Sequence, residues 1–306
     1  MPRYKETVLT VLMLFFAGGV LLNAQTLPSL FVSSDAAAAG TALSSIGKSA
    51  GAYSLESNVA SMAFMDKKTS FGASFGLWQP SYASNKVLGL GAAYRVSKRL
   101  ALGLQAKSLG QQPYDIVTES GLVKGSYSPK DISVGIGVAY AFTDFLSAGV
   151  TARMVTSHLA EDASANVLGL DAALFFKREA LSAGFALCNL GGKFSYGRDT
   201  YSQPSMLKAG GAYRFDYLNG NSVTGSLEAD YLFEGAFSAA AGAEYGFADM
   251  VFARLGYHYG SSDKGLPSFA SAGLGIKLYG ISLDLAYLFL SETLRNSLNI
   301  SIGYSF

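Results

Sequence analysis

The sequence predicts an all-β protein: a 14-stranded antiparallel transmembrane β-barrel with an N-terminal plug segment. Three observations predict it. Apolar and polar residues alternate in run after run; in the last, Leu298, Ile300, Ile302, Tyr304 and Phe306 are separated by Asn299, Ser301, Gly303 and Ser305. Such alternation marks a strand with one apolar and one polar environment, although one run alone would also suit a soluble sandwich. Every second connection between runs is very short, the connectivity of an outer-membrane barrel with short periplasmic turns. Half of the chain is hydrophobic and only 15% is charged, yet past the N-terminus no stretch reaches the roughly 18 apolar residues of a membrane helix. Only helices and closed barrels satisfy every backbone polar group in lipid.

The elements follow in order. Arg3 and Lys5 precede Val8–Leu22, which is apolar except for Thr10 and two glycines, and Asn23-Ala24 comes next. This reads as a secretory signal peptide over residues 1–24, cut after Ala24. Residues 25–67 do not alternate. They are mostly small and polar, with an alanine run at 36–39, and 58–64 suits a short helix capped by Ser57 or Asn58. Such a segment fits inside a lumen as a plug, the alternative being a periplasmic tail.

Residues 68–306 carry the barrel. Fourteen runs bounded by turn residues are expected as strands: 68–78, 86–96, 99–108, 130–142, 145–156, 164–177, 180–189, 204–216, 221–233, 236–247, 250–259, 267–278, 281–290 and 295–306. Their lengths suit tilted strands that need about 9–11 residues to cross a bilayer. The even count puts both ends of the barrel at the periplasmic rim. Short turns are expected at Ser97-Lys98, Thr143-Asp144, Arg178-Glu179, 217–220, Ala248-Asp249 and Tyr279-Gly280, and long external loops at 109–129 and 190–203. Tyr and Phe gather near strand ends, as at Phe142, Phe145, Tyr213 and Phe215, which suits an aromatic girdle at the lipid–water boundary.

Alternation also sorts the charges. Lys208, Arg214, Glu228, Asp230, Glu244, Arg254, His258, Lys277 and Asp284 fall on the polar faces of their strands. A Lys or Arg facing lipid near the midplane costs about 2–4 kcal/mol, so these groups are expected in the lumen as a charge network. A lumen zipped shut by ion pairs and plug contacts is one reading, and a selective pore is the other. His258 is expected in a luminal hydrogen-bond network, and His158 in an external loop.

Composition excludes several functions. A net charge of +1 offers no basic patch for nucleic acid. Cys188 is the only cysteine, so there is no disulfide framework or multi-thiolate metal site. With only two histidines and one cysteine, far apart in sequence, no catalytic set, metal site or cofactor is expected. A barrel lipase remains formally available because serine is abundant.

One resemblance is specific enough to use. Leu30-Phe31-Val32-Ser33-Ser34-Asp35-Ala36-Ala37-Ala38-Ala39-Gly40, followed by Asn58-Val59-Ala60, resembles the start of PorV/PorQ proteins, whose opening runs through Asp, small residues and Gly to Trp-Asn-Pro-Ala. Ser57 stands where the Trp would be and Val59 where the Pro would be, which marks a divergent member. The resemblance extends loosely over the barrel. It implies a FadL-like barrel in the outer membrane of a Gram-negative bacterium, in contact with its lipids and serving a type IX secretion or surface-attachment system.

Two functions follow. In the first, the barrel is a non-enzymatic accessory that binds partner or cargo proteins through its loops, with Tyr114, Ile116, Val117, Leu122 and Tyr127 as a contact surface. In the second, it is a FadL-like uptake channel for small hydrophobic molecules, with a lateral gate where Ser108-Leu109-Gly110 and Pro113 would break the strand ladder. By resemblance to other outer-membrane barrels, Tyr304 and Phe306 on the terminal strand would be read by the assembly machinery.

Overall fold

The structure, a computed structural model, describes residues 27–48, 51–81, 83–118, 120–261 and 264–306. The expected signal peptide lies outside them. Among the described residues eighteen strands form: β1 (Thr69–Trp78), β2 (Asn85–Arg95), β3 (Leu100–Gly110), β4 (Tyr114–Val117), β5 (Val123–Tyr127), β6 (Lys130–Ala141), β7 (Leu146–Ala160), β8 (Ala163–Arg178) and β9 (Leu181–Gly191). They continue as β10 (Phe194–Tyr196), β11 (Asp199–Tyr201), β12 (Met206–Asp216), β13 (Ser222–Leu232), β14 (Ala236–Phe247), β15 (Val251–Tyr259), β16 (Phe269–Leu278), β17 (Ile281–Phe289) and β18 (Ser297–Ser305). Fourteen close into one antiparallel barrel, in which β1 pairs with β18 from Ser70↔Ser305 to Leu77↔Leu298. Closure leaves no strand edge without backbone partners, the condition lipid imposes.

The fourteen barrel strands are those the alternation predicts, with ends shifted by a few residues. The remaining four form two hairpins, β4–β5 and β10–β11, inside the two long loops.

The apolar set of each strand faces outward. Leu90, Leu104, Ile136, Leu168, Leu227, Leu255 and Leu274 are all exposed, while their neighbours Gln105, Ser226, Arg254 and Ser271 are buried in the lumen. The Tyr279-Gly280 turn has positive φ at both residues (51° and 84°), the primed geometry whose twist matches a two-residue hairpin. This turn lies at the rim where the chain ends: the Ser305 amide donates to the Gly280 carbonyl at 2.8 Å.

Residues 27–48 and 51–66 run inside the barrel as short turns rather than strands. A helix at Ala36–Gly40 is capped by the Asp35 carboxylate, which accepts from the Ala37 amide at 2.9 Å. A second cap, Asn58, accepts from the Ala60 amide at 3.0 Å and opens a 3-10 helix at Val59–Phe64. A cap acceptor satisfies an otherwise orphaned N–H at the start of such a turn. Ile46, Leu55, Val59 and Met62 pack with Ala93, Ala101 and Phe175 of the wall.

Wall glycines permit this seating. A β-carbon on Gly184 would overlap the Ile46 carbonyl, and one on Gly91 the Ala52 carbonyl. With no side chain at these inward positions, the backbone of the segment rests directly on the backbone of the barrel.

Candidate functional site

The polar lumen is organised around the inner segment. On β12 and β13, the Lys208 ammonium lies 2.6 Å from Glu228 and 3.6 Å from Asp230. The second Glu228 oxygen accepts from the backbone amides of Ser45 (2.7 Å) and Ile46 (2.8 Å). One carboxylate therefore answers a charge on the wall and two N–H groups of the segment. On the other side, Arg254 bridges Glu244 at 2.5 Å and Asp284 at 2.6 Å, joining β14, β15 and β17. Charge-assisted bonds of this kind are roughly twice as strong as neutral ones.

Three of the nine expected network residues behave differently. Arg214 pairs with Asp216 (2.6 Å) and Asp249 (2.9 Å) in a solvent-exposed position at the short-turn rim. Lys277 is exposed and forms no ion pair among the described residues. His258 is only 4% exposed, but its neighbour is the Phe269 ring, stacked at 5.0 Å, and neither imidazole nitrogen has a protein hydrogen-bond partner. The alternation gives the face of a residue correctly here; it carries no information about height or contacts.

The sequence reading missed the other half of the lumen. Glu56 of the inner segment accepts from the Ser34 amide at 2.7 Å and from Gln105, and lies 3.6 Å from Lys107. The Lys107 ammonium also donates to the Val32 carbonyl at 2.7 Å. Arg153 pairs with Asp171 at 2.8 Å and donates to Asn189 at 2.9 Å and to the Leu55 carbonyl at 3.1 Å. Lys107, Arg153 and Asp171 stand on inward strand positions, so their face was readable; the partners on the inner segment, up to 98 residues away, were not.

The proposed gate at the end of β3 is absent. The β3–β6 ladder continues through Leu109↔Asp131 and Gly110↔Lys130, and the Gln111 amide adds a bond to the Pro129 carbonyl at 2.9 Å. Register shifts in the wall lie at the outer end of β7–β8, at His158/Ala160, and between β8 and β9, at Leu170/Ala172, where Asp171 accepts from the Asn189 amide at 2.7 Å. The β8–β9 bulge is stitched to Arg153 through Asp171 rather than open.

Outside the barrel, Tyr114, Ile116, Val117, Leu122 and Tyr127 lie on the β4–β5 hairpin. The Tyr114 and Tyr127 rings pack at 5.9 Å, while Val117 and Leu122 are 60% and 69% exposed. Phe194, Tyr196 and Tyr201 of the second hairpin pack on one another and on Leu27, Val155 and Val167, so this hairpin covers the start of the inner segment. Burial pushes the Tyr196 hydroxyl above its usual pKa. His158 lies on the outer extension of β7, level with Ser164. At the closing seam Tyr304 and Phe306 face outward, and Phe306 exchanges backbone bonds with Thr69 at 2.9 and 3.0 Å.

A closed 14-stranded barrel with an apolar outer band and a polar lumen is the architecture of an outer-membrane protein. Solved structures agree on the fold. The Pseudomonas putida toluene transporter TodX superposes with a TM-score of 0.62 at 13% identity, covering 94% of this chain and 99% of its own. The Ralstonia pickettii toluene transporter TbuX gives 0.58 at 14% identity (87% and 97%), and a Pseudomonas aeruginosa FadL homologue 0.55 at 12% (93% and 100%). No curated protein matches the chain in sequence. The family model of the type IX secretion system protein PorV matches residues 22–236. The chain belongs to the PorV family, and its place is the outer membrane of a Gram-negative bacterium.

Proposed function

We propose that this protein is a non-catalytic accessory of type IX secretion that holds partner or cargo proteins through its external loops. The observation that carries this reading is the seating of residues 27–48 and 51–66 in the lumen, with wall glycines under their backbone and Glu228, Arg153 and Lys107 bonded to it. A lumen occupied in this way favours a scaffold over a conduit. The β4–β5 hairpin then offers Val117 and Leu122 as exposed apolar contacts.

The test is an affinity pull-down from outer membranes with the tagged protein and with a V117D/L122D double variant. Secretion or attachment proteins are expected with the former and strongly reduced with the latter. Recovery of no such protein, together with a hydrophobic molecule extracted from the lumen, would refute the proposal. That outcome would favour the second reading, a channel for small hydrophobic molecules. Its support is the fold shared along nearly the full length of two toluene transporters.

A further inference from the structure

An open apolar groove crosses the outer wall from β1 to β7, lined in part by Phe71, Ala92, Tyr94, Leu102, Leu104 and Val138. Its floor lies at Ala92, which stands between Phe71 and Leu104 in the ladder and between the outward Leu90 and Tyr94 on its own strand. At Tyr94 and Leu102 the groove reaches the short-turn rim, and the rim is basic there. Lys67, Lys68, Arg95, Lys98 and Arg99 stand at the ends of β1, β2 and β3. The acids beside them are engaged: Asp66 lies 3.8 Å from Lys177, and the terminal carboxylate of Phe306 accepts from the Thr69 amide at 2.9 Å. Lys67, Lys98 and Arg99 are exposed and form no ion pair among the described residues. The opposite arc is balanced, with Arg214 and Lys277 against Asp216 and Asp249. One cation joins rim to groove. The Lys68 ammonium lies 5.4 Å from the centre of the Tyr94 ring, which faces outward. The Arg95 amide donates to the Lys68 carbonyl at 2.8 Å and the Ala141 amide to the Arg99 carbonyl at 2.7 Å, so these cations stand on adjoining chain segments. With strands about 4.8 Å apart, their charges fall within about a Debye length of one another. Tyr140 and Phe142, packed at 5.4 Å, extend an outward aromatic belt along this rim, the depth at which headgroups meet hydrocarbon.

We propose that this arc of the rim holds one anionic diacyl phospholipid of the periplasmic leaflet. The headgroup phosphate lies at the Lys68 ammonium and the Tyr94 hydroxyl, Lys98 and Arg99 add positive charge beside it, and an acyl chain lies in the groove over Ala92. Each cation near an anionic lipid surface is worth about fivefold in affinity. A zwitterionic phospholipid brings an ammonium of its own and gains less. An acidic periplasmic protein would meet Lys98 and Arg99 at the turn, but it would have to enter the bilayer to reach Lys68 beside the outward ring, and it would leave the groove unfilled. The β4–β5 hairpin lies at the opposite rim, so the site is independent of partner binding by the external loops.

The test uses the full-length protein in detergent, titrated with dioleoyl phosphatidylglycerol or dioleoyl phosphatidylethanolamine, with bound lipid counted by native mass spectrometry. The first phosphatidylglycerol is expected to bind at least tenfold more tightly than phosphatidylethanolamine. The K68Q/K98Q/R99Q variant should weaken phosphatidylglycerol at least tenfold, whereas K277Q on the balanced arc should leave it unchanged. Ala92→Phe fills the groove floor without removing a cation and should weaken the lipid at least fivefold. Glycerol 3-phosphate, which carries the charge without the chains, should not displace the lipid at equal concentration. All variants should keep the heat-modifiable gel mobility of a folded barrel. The proposal is overturned if K277Q costs as much as the triple variant, if folded Ala92→Phe binds like the wild type, or if glycerol 3-phosphate displaces the lipid. Equal binding of the two phospholipids would also overturn it and would return the basic arc to an acidic periplasmic protein.

Discussion

Glu228 offers the sharpest test of how the inner segment is held. Its carboxylate is buried, and replacing it with Ala removes three contacts at once: Lys208 at 2.6 Å, the Ser45 amide at 2.7 Å and the Ile46 amide at 2.8 Å. A hydrogen bond to a charged group is worth about 1.5–3 kcal/mol, and a buried N–H left unmet costs about 1–3 kcal/mol. Asp230, 3.6 Å from Lys208, offsets part of the loss on the wall side. The Glu228→Ala change should therefore weaken seating of residues 44–47 by roughly 4 kcal/mol, the size seen when one partner of a buried pair is removed. At about 1.4 kcal/mol per factor of ten, local opening becomes on the order of a thousandfold more frequent. Hydrogen exchange read at the Ser45 and Ile46 amides of the detergent-solubilised protein measures this directly. The barrel ladders should exchange as before, because Glu228 adds no backbone bond to them. Glu228→Gln retains an acceptor oxygen and should show a smaller acceleration. Wild-type exchange at Ser45 and Ile46 in Glu228→Ala would refute the claim that this carboxylate clamps the segment.

Two further outcomes concern the barrel itself. Deleting Phe306 removes the two backbone bonds to Thr69 at the seam and the outward aromatic packed on Phe71 and Tyr304, so less protein should reach the outer membrane. Fractionation with immunoblotting measures this, and normal levels combined with lost function would sink the assembly role. Leu227→Lys places an ammonium on the lipid face of β13, where Leu227 is 66% exposed. The cost of about 2–4 kcal/mol near the midplane should lower the urea midpoint of unfolding from lipid vesicles; an unchanged midpoint would mean that this face does not meet lipid.

The sequence showed the barrel wall because the wall has a short period and two unlike surroundings. Leu100, Leu102 and Leu104 point out, and Ala101, Gly103 and Gln105 point in, for the same reason in every strand. The hairpins β4–β5 and β10–β11 have no such two-sided environment. Three to five residues long, they hold together by contacts such as Phe194 on Tyr196 at 5.6 Å, which alternation does not reveal. Arg214 and Lys277 were placed on the right face and at the wrong depth, since parity is blind to distance along the strand. The break assigned to the end of β3 rested on Gly110 and Pro113. Gly110 stays in the ladder opposite Lys130, and Pro113 lies beyond the strand, where no ladder bond is lost.

The luminal contacts were hidden for a different reason. Pairings such as Glu228 with Ser45, or Arg153 with Leu55, join residues about 100 to 180 positions apart with no repeat to announce them. What the sequence does display is their footprint on the wall, in glycines at Gly91 and Gly184 where a strand would ordinarily carry a side chain. A glycine inside a strand weakens it and packs nothing. Its presence at an inward position, directly under the carbonyls of Ala52 and Ile46, makes sense only if another backbone occupies that space. Wall and inner segment are therefore one design: enlarging either glycine should displace the segment before it disturbs the barrel, because the strand ladder is complete without it and the segment's seat is not.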